Sequence, residues 1–148
     1  MNFLKTITLS YIILLGTFLY SQEVQIGLGA IDEGSIEVTM NTPLDVGGFQ
    51  FDVPGASLTG GSGGLAQDAG FTVSTGAETV LGFSFTGSVI PAGSSGILTN
   101  LSGTFSDDVC LSMGTGAISD SNGQALETTF GEDDCEYEEP EPATEVTL

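Results

Sequence analysis

The chain has 148 residues and a net charge of −19, with Lys5 as its one basic side chain and no histidine. All 20 acidic residues lie between Glu23 and Glu145, so past its first residues the chain has no side-chain cation. Nothing there neutralises phosphate or seeks anionic headgroups, which excludes nucleic-acid binding and electrostatic attachment to an anionic membrane surface.

Lys5, the mostly apolar run from Ile7 to Leu19 and the Ser21-Gln22 junction have the layout of a secretory leader, with cleavage expected after residue 21. The run is interrupted by Thr8, Ser10 and Thr17 and falls short of the roughly 18 to 20 apolar residues of a spanning helix; an uncleaved anchor is the alternative. Removing 21 of 148 residues leaves 127, enough for one domain with its own core. The chain is expected to be secreted, and to act outside the cell or at its surface.

From Val24 onward, apolar residues alternate with polar ones and are punctuated by glycine, the period of half-buried strands. Taken in order, strands are expected at Val24 to Leu28, at Ile36, Val38 and Met40, at Phe49, Phe51 and Val53, and at Phe71 and Val73. Further strands follow at Leu81, Phe83 and Phe85, at Ile97 to Leu101, at Val109, Leu111 and Met113, at Ala117-Ile118, and at Leu126, Thr128 and Phe130. Turn clusters separate them: the glycine run 60–64, read as a flexible loop, the Pro91 to Gly96 stretch, and Asp120-Ser121-Asn122-Gly123. Leu65 to Ala69 allows at most one helical turn. Nine short strands with glycine-rich turns predict an all-β sandwich over 22–131.

Composition changes at Glu132: eight of the fourteen residues from Glu132 to Glu145 are acidic, and Pro140 and Pro142 stand among them. Residues 132–148 read as a self-repelling tail or linker, or as a segment that gathers cations or docks a partner. Two cysteines in an exported chain predict a Cys110–Cys135 disulfide. It closes a loop of 24 intervening residues, is worth about 3 to 4 kcal/mol in the chain-entropy account, and would clamp the start of the tail to the domain.

Four pieces carry a resemblance. The segment Asp45-Val46-Gly47-Gly48-Phe49-Gln50-Phe51-Asp52-Val53 resembles the Val-x-Gly-Phe-Gln-Phe strand of cohesin-like domains. Val80 to Phe85, the turn Ile90 to Gly93 leading to Ile97, and the late hairpin Ser119 to Gly123 follow in the family's order. The resemblance implies a nine-stranded jelly-roll sandwich related to carbohydrate-binding modules. In cellulosomes, cohesins bind dockerins, which are calcium-loaded helical modules, whereas many cohesin-like domains occur outside cellulosomes. No dockerin-contacting residue transfers by motif, and the hyperacidic surface and cysteine pair depart from the cellulosomal pattern.

The residues themselves leave little chemistry. Without histidine or a lysine past the leader there is no base for a serine or cysteine nucleophile. Two cysteines cannot close a zinc site. Paired carboxylates such as Asp45 and Asp52 are the one remaining catalytic arrangement, as in a glycosidase, but a chain with no tryptophan lacks the usual sugar platform. No cofactor is required. Calcium is the cation the composition best accommodates, through Asp32-Glu33, Asp107-Asp108 or Glu132-Asp133-Asp134. The run starting at Asp120 lacks the acid that a calcium loop needs at its twelfth position, which is Gly131, so Asn122-Gly123 reads as a hairpin turn. Phe49, Phe51, Phe71, Phe83, Phe85, Phe105 and Phe130 read as core. The expected role is a secreted, non-catalytic module for adhesion, scaffolding or binding of an extracellular protein or polysaccharide. The alternatives are a subunit that self-associates into a fibre or surface layer and, last, a carboxylate-pair glycosidase.

Overall fold

The computed structural model describes residues 22–140; the expected leader and the end of the acidic tail lie outside the described residues. The elements in order are β1 Val24–Asp32, β2 Ser35–Asn41, β3 Gly48–Asp52, β4 Ala56–Ser62, a short helix α1 Gly64–Asp68, β5 Thr72–Thr75, β6 Thr79–Phe83, β7 Ser95–Phe105, β8 Ser112–Ser119, β9 Thr128–Thr129 and a 3-10 turn Gly131–Asp133. They form two facing sheets, β4-β7-β2-β1-β9 and β5-β6-β3-β8. All pairings are antiparallel except that of β9 with β1, where Val24 faces Thr128 and Gln25 faces Thr129. The architecture is the expected nine-stranded jelly-roll sandwich.

Alternation decides the core. Ile36, Val38 and Met40 of β2 point inward, opposite Phe49 and Phe51 of β3, and Leu98, Leu101 and Ile118 fill the space between the sheets. A row of rings runs through it, with centroids 6.1 Å apart for Phe71 and Phe49, 5.9 Å for Phe49 and Phe51, and 6.4 Å for Phe51 and Phe130. The two buried polar side chains are hydrogen-bonded: Thr42 Oγ1 donates to Leu44 O at 2.7 Å and Thr99 Oγ1 to Ser62 O at 3.3 Å. Among the described residues no buried side-chain nitrogen or oxygen lacks a partner.

Three expectations are corrected. The glycine run is not simply a loop, because residues 60–62 finish β4 on the edge of the five-stranded sheet. A Cβ on Gly61 would stand 2.7 Å from Val73 Cγ1, so the strand crosses the inner face of β5 only because that position is bare. At Gly64, φ is +70° and a Cβ would lie 2.5 Å from the carbonyl oxygens of Ile97 and Leu98, so glycine lets α1 begin directly against β7. Second, in place of the strands expected at Val109 to Met113 and at Ala117-Ile118 there is one strand, β8, which takes in Met113, Ala117 and Ile118; Val109 precedes it, Leu111 makes an isolated bridge to Asp134, and the register of β8 slips between Gln50 and Asp52 of its neighbour. Third, Leu81, Phe83 and Phe85 do not face the core. Val80 and Gly82 do, since a Cβ on Gly82 would overlap the Phe49 ring.

The disulfide is present, Cys110 to Cys135, with Cα atoms 5.0 Å apart. Leu111 N donates to Asp133 O at 2.7 Å and Cys135 N to Leu111 O at 2.9 Å, so residues 133–135 run beside Leu111 as part of the folded body.

Replacing Gly82 by Ala should cost about 1 to 3 kcal/mol, because the Phe49 ring has no free space to move into. Phe49→Ala should cost about 3 to 5 kcal/mol; urea titration of each variant checks both values. Reducing the disulfide should lower the melting temperature by about 10 °C, read by calorimetry with and without reductant. With 20 acidic residues and no cation beyond Lys5, raising NaCl to about 0.5 M should raise the melting temperature by screening self-repulsion. An unchanged melt across that range would show that the acidic surface does not strain the fold.

Candidate functional site

Because the inner position of β6 is given to Phe49, the larger residues of that strand turn outward. The outer face of the four-stranded sheet is built in cross-strand rows: Thr72, Phe83, Gly48 and Ser119 in one, and Ser74, Leu81, Gln50 and Ala117 in the next. Asp52 opposite Thr79 closes the face, and its Oδ1 accepts the Thr79 hydroxyl at 2.8 Å. In a chain this acidic, that face carries one carboxylate on its paired strand positions, and that one is hydrogen-bonded.

At the end of β6 the apolar character rises. Leu81 is 38% exposed and Phe85 83% exposed, with the half-buried Phe83 between them. The Phe83 and Phe85 rings meet edge to face, centroids 4.9 Å apart at 81°. The loop that presents Phe85 is braced by hydroxyls: Thr86 N and Ser88 N donate to Ser84 Oγ at 3.2 and 3.1 Å, and the Thr86 hydroxyl lies 3.1 Å from that of Ser84 and 3.0 Å from that of Ser88. A large ring held in water on a hydroxyl-braced loop, beside a sheet face with one carboxylate among its paired residues, has the make-up of a protein-interface anchor with its surround. Reading the sequence placed Phe83 and Phe85 in the core. The available signal was Gly82, which leaves β6 a small inner face.

The outer face of the five-stranded sheet differs. Gln25, Thr39, Asn41 and Ser95, with Phe130, Glu132 and Asp133, line an open groove of about 540 Å³ whose surface is more apolar than polar. Asp133 Oδ2 accepts Leu28 N at 2.8 Å and sits over Gly27, where a Cβ would come within 3.2 Å of it.

The other candidate carboxylates are dispersed into local bonds. Asp45 Oδ1 accepts Ala92 N at 2.8 Å, while Asp52 lies beyond the other end of the Phe49-Gln50-Phe51 stretch, so the pair considered for glycosidase chemistry does not converge. Asp120 Oδ1 accepts both Asn122 N and Gln124 N at 2.9 Å, and Gly123 takes φ of +80°, the expected hairpin turn. Asp134 Oδ1 accepts Glu136 N at 2.9 Å. The turns bearing Asp32-Glu33 and Asp107 share a cleft of about 470 Å³ with Ile31, Phe105 and Val109. Beside it, the Ser106 hydroxyl donates to Asp108 Oδ1 at 2.6 Å and holds that carboxyl below the usual range. Among the described residues no three acidic or cysteine side chains stand where they could hold a metal ion.

No protein-family model matches the sequence, and no curated protein sequence matches it either. Solved structures of the same shape do. A chain of the CaDoc0917–CaCohA2 complex crystallised at pH 5.5 is 16% identical with a TM-score of 0.50, the match covering 71% of this chain and 92% of that one. A non-cellulosomal cohesin from the hyperthermophilic archaeon Archaeoglobus fulgidus is 15% identical with a TM-score of 0.51, over 73% of this chain and 86% of its own. The strand and turn motifs that resemble cohesins in sequence thus lie in a sandwich that superposes on cohesin structures, and the chain has a cohesin-like fold.

Proposed function

We propose that this chain is a non-catalytic protein-binding module that works outside the cell in adhesion or scaffolding, and that its partner docks on the outer face of the four-stranded sheet around Leu81, Phe83 and Phe85. The exposed Phe85 on its hydroxyl-braced loop carries the reading. A buried aromatic anchor ringed by neutral contacts supplies most of the affinity in protein interfaces, and this is the face on which such an anchor stands without a surrounding field of carboxylates. Of the structures of similar fold, CaCohA2 was crystallised with CaDoc0917, which supports a protein as the ligand. A polysaccharide is the weaker match, since a flat sugar chain stacks on coplanar rings and these two rings meet at 81°. The disulfide supports an oxidising compartment, in agreement with a leader over 1–21.

Calorimetric titration of the exported chain against purified dockerin modules and against soluble glycans tests the proposal. A protein ligand should bind, and Phe85→Ala and Leu81→Asp should each weaken it by about 30-fold, the effect of removing a hot spot worth about 2 kcal/mol, with melting temperatures unchanged. Binding that ignores both substitutions, or binding to glycans alone, would reject this face as the docking surface.

A further inference from the structure

We propose that residues 126–135 form an exchangeable arm through which two copies of this chain pair, the arm of each copy taking the place of the other's, with the Cys110–Cys135 bond locking whichever arrangement is made. The arm's bonds are made with distant parts of the chain. Glu127 O accepts Val24 N at 2.8 Å, Thr128 and Thr129 lie beside Val24 and Gln25, and Asp133 Oδ2 accepts Leu28 N at 2.8 Å. Phe130, 5% exposed, inserts its ring toward Phe51, and Asp133 and Cys135 bracket Leu111. None of these contacts requires that arm and body belong to one molecule. The same segment of a second copy satisfies every one of them, which is why an identical chain is the partner that fits.

What ties the arm to its own body is short. Leu126 N donates to Ile118 O at 2.7 Å across the turn Asp120–Gln124, whose tip residues Ser121, Asn122 and Gly123 are exposed. Opening that turn leaves residues 119–125 as an extended tether reaching about 25 Å between Ile118 and Leu126, enough to cross to a neighbouring body.

With the arm seated, the edge of β1 offers little to any other strand. Past Gln25, where β9 ends, Leu28 N is taken by Asp133 and Ala30 N by Glu37 Oε2 at 3.1 Å. Carboxylates on an edge are a known guard against strand addition, so along β1 a second copy meets this one through the arm. Two highly acidic chains repel, which makes exchange favoured by salt.

The covalent step balances with a small-molecule disulfide as oxidant. The thiolate of Cys110 in one copy and that of Cys135 in the other displace, in two exchanges, both thiols of oxidised glutathione, giving one interchain disulfide and two molecules of glutathione.

Two single variants of the exported chain test the proposal, Cys110→Ser and Cys135→Ser, one of them isotopically labelled. Neither can form the internal bond. Mixed at equal, high concentration in about 0.5 M NaCl with oxidised glutathione, they should give a disulfide-linked heterodimer joining Cys110 to Cys135, exceeding either homodimer by about tenfold because exchange raises the local thiol concentration. Folded variants giving heterodimer no more often than homodimers would overturn the proposal. Should either variant fail to fold, the unmodified chain is reduced and reoxidised as labelled and unlabelled copies at rising concentration. Interchain Cys110–Cys135 peptides linking the two labels, increasing with concentration, support arm exchange, and intrachain peptides alone refute it.

Discussion

The ring of Phe49 occupies the space that a side chain at position 82 would need, and much of the molecule is arranged around that exclusion. The ring stacks between Phe51 and Phe71 and fills the gap between the sheets. Because the inner row of β6 is thereby reduced to Val80 and a bare backbone, that strand contributes its larger residues to the outside. The contact that closes the core therefore also creates the apolar end of the exposed face. Interior packing is dense enough that a single ring position can settle which side of a strand meets water.

Charge is distributed to the same effect. The described residues include no lysine, arginine or histidine, so their carboxylates serve as hydrogen-bond acceptors for the backbone. Asp133 and Glu37 take amides on the β1 edge, Asp120 organises a turn and Asp45 fastens the Pro91 loop. A carboxylate accepting from a backbone N–H is among the stronger neutral-to-charged bonds available. The four-stranded face is left nearly free of charge, and there an aromatic residue can be desolvated without stranding an anion.

How much of this was legible follows from what alternation encodes. Ile36, Val38 and Met40, with Phe49 and Phe51, announced their strands and their burial, because a strand in the middle of a sheet has one wet and one dry face. Leu81, Phe83 and Phe85 announced a strand as clearly but pointed the wrong way. Period two fixes the two faces of a strand and leaves open which one is inward, and here a glycine opposite a distant phenylalanine decided it. β4 stayed hidden because Gly60 and Gly61 carry no hydrophobic signal, although the lack of a side chain at Gly61 is what lets that strand pass Val73. The disulfide was readable from two cysteines and the expectation of a leader. The reach of the Asp133 carboxylate to Leu28 was not, since it depends on the chain after β9 passing along the β1 edge, which no local pattern marks.

The position of the disulfide also governs how the domain meets a mechanical load. β9 is two residues long and would part easily if the chain after it were pulled. Tension applied beyond Tyr137 does not reach that strand, because it is taken up at Cys135 and passed through a covalent bond to Cys110, at the foot of β8 in the opposite sheet. β9, Phe130 and the Asp133 contact lie inside the closed loop and are shielded from the pull. In the oxidised protein, therefore, the weakest strand of the sandwich is not the first to give way under traction from that side.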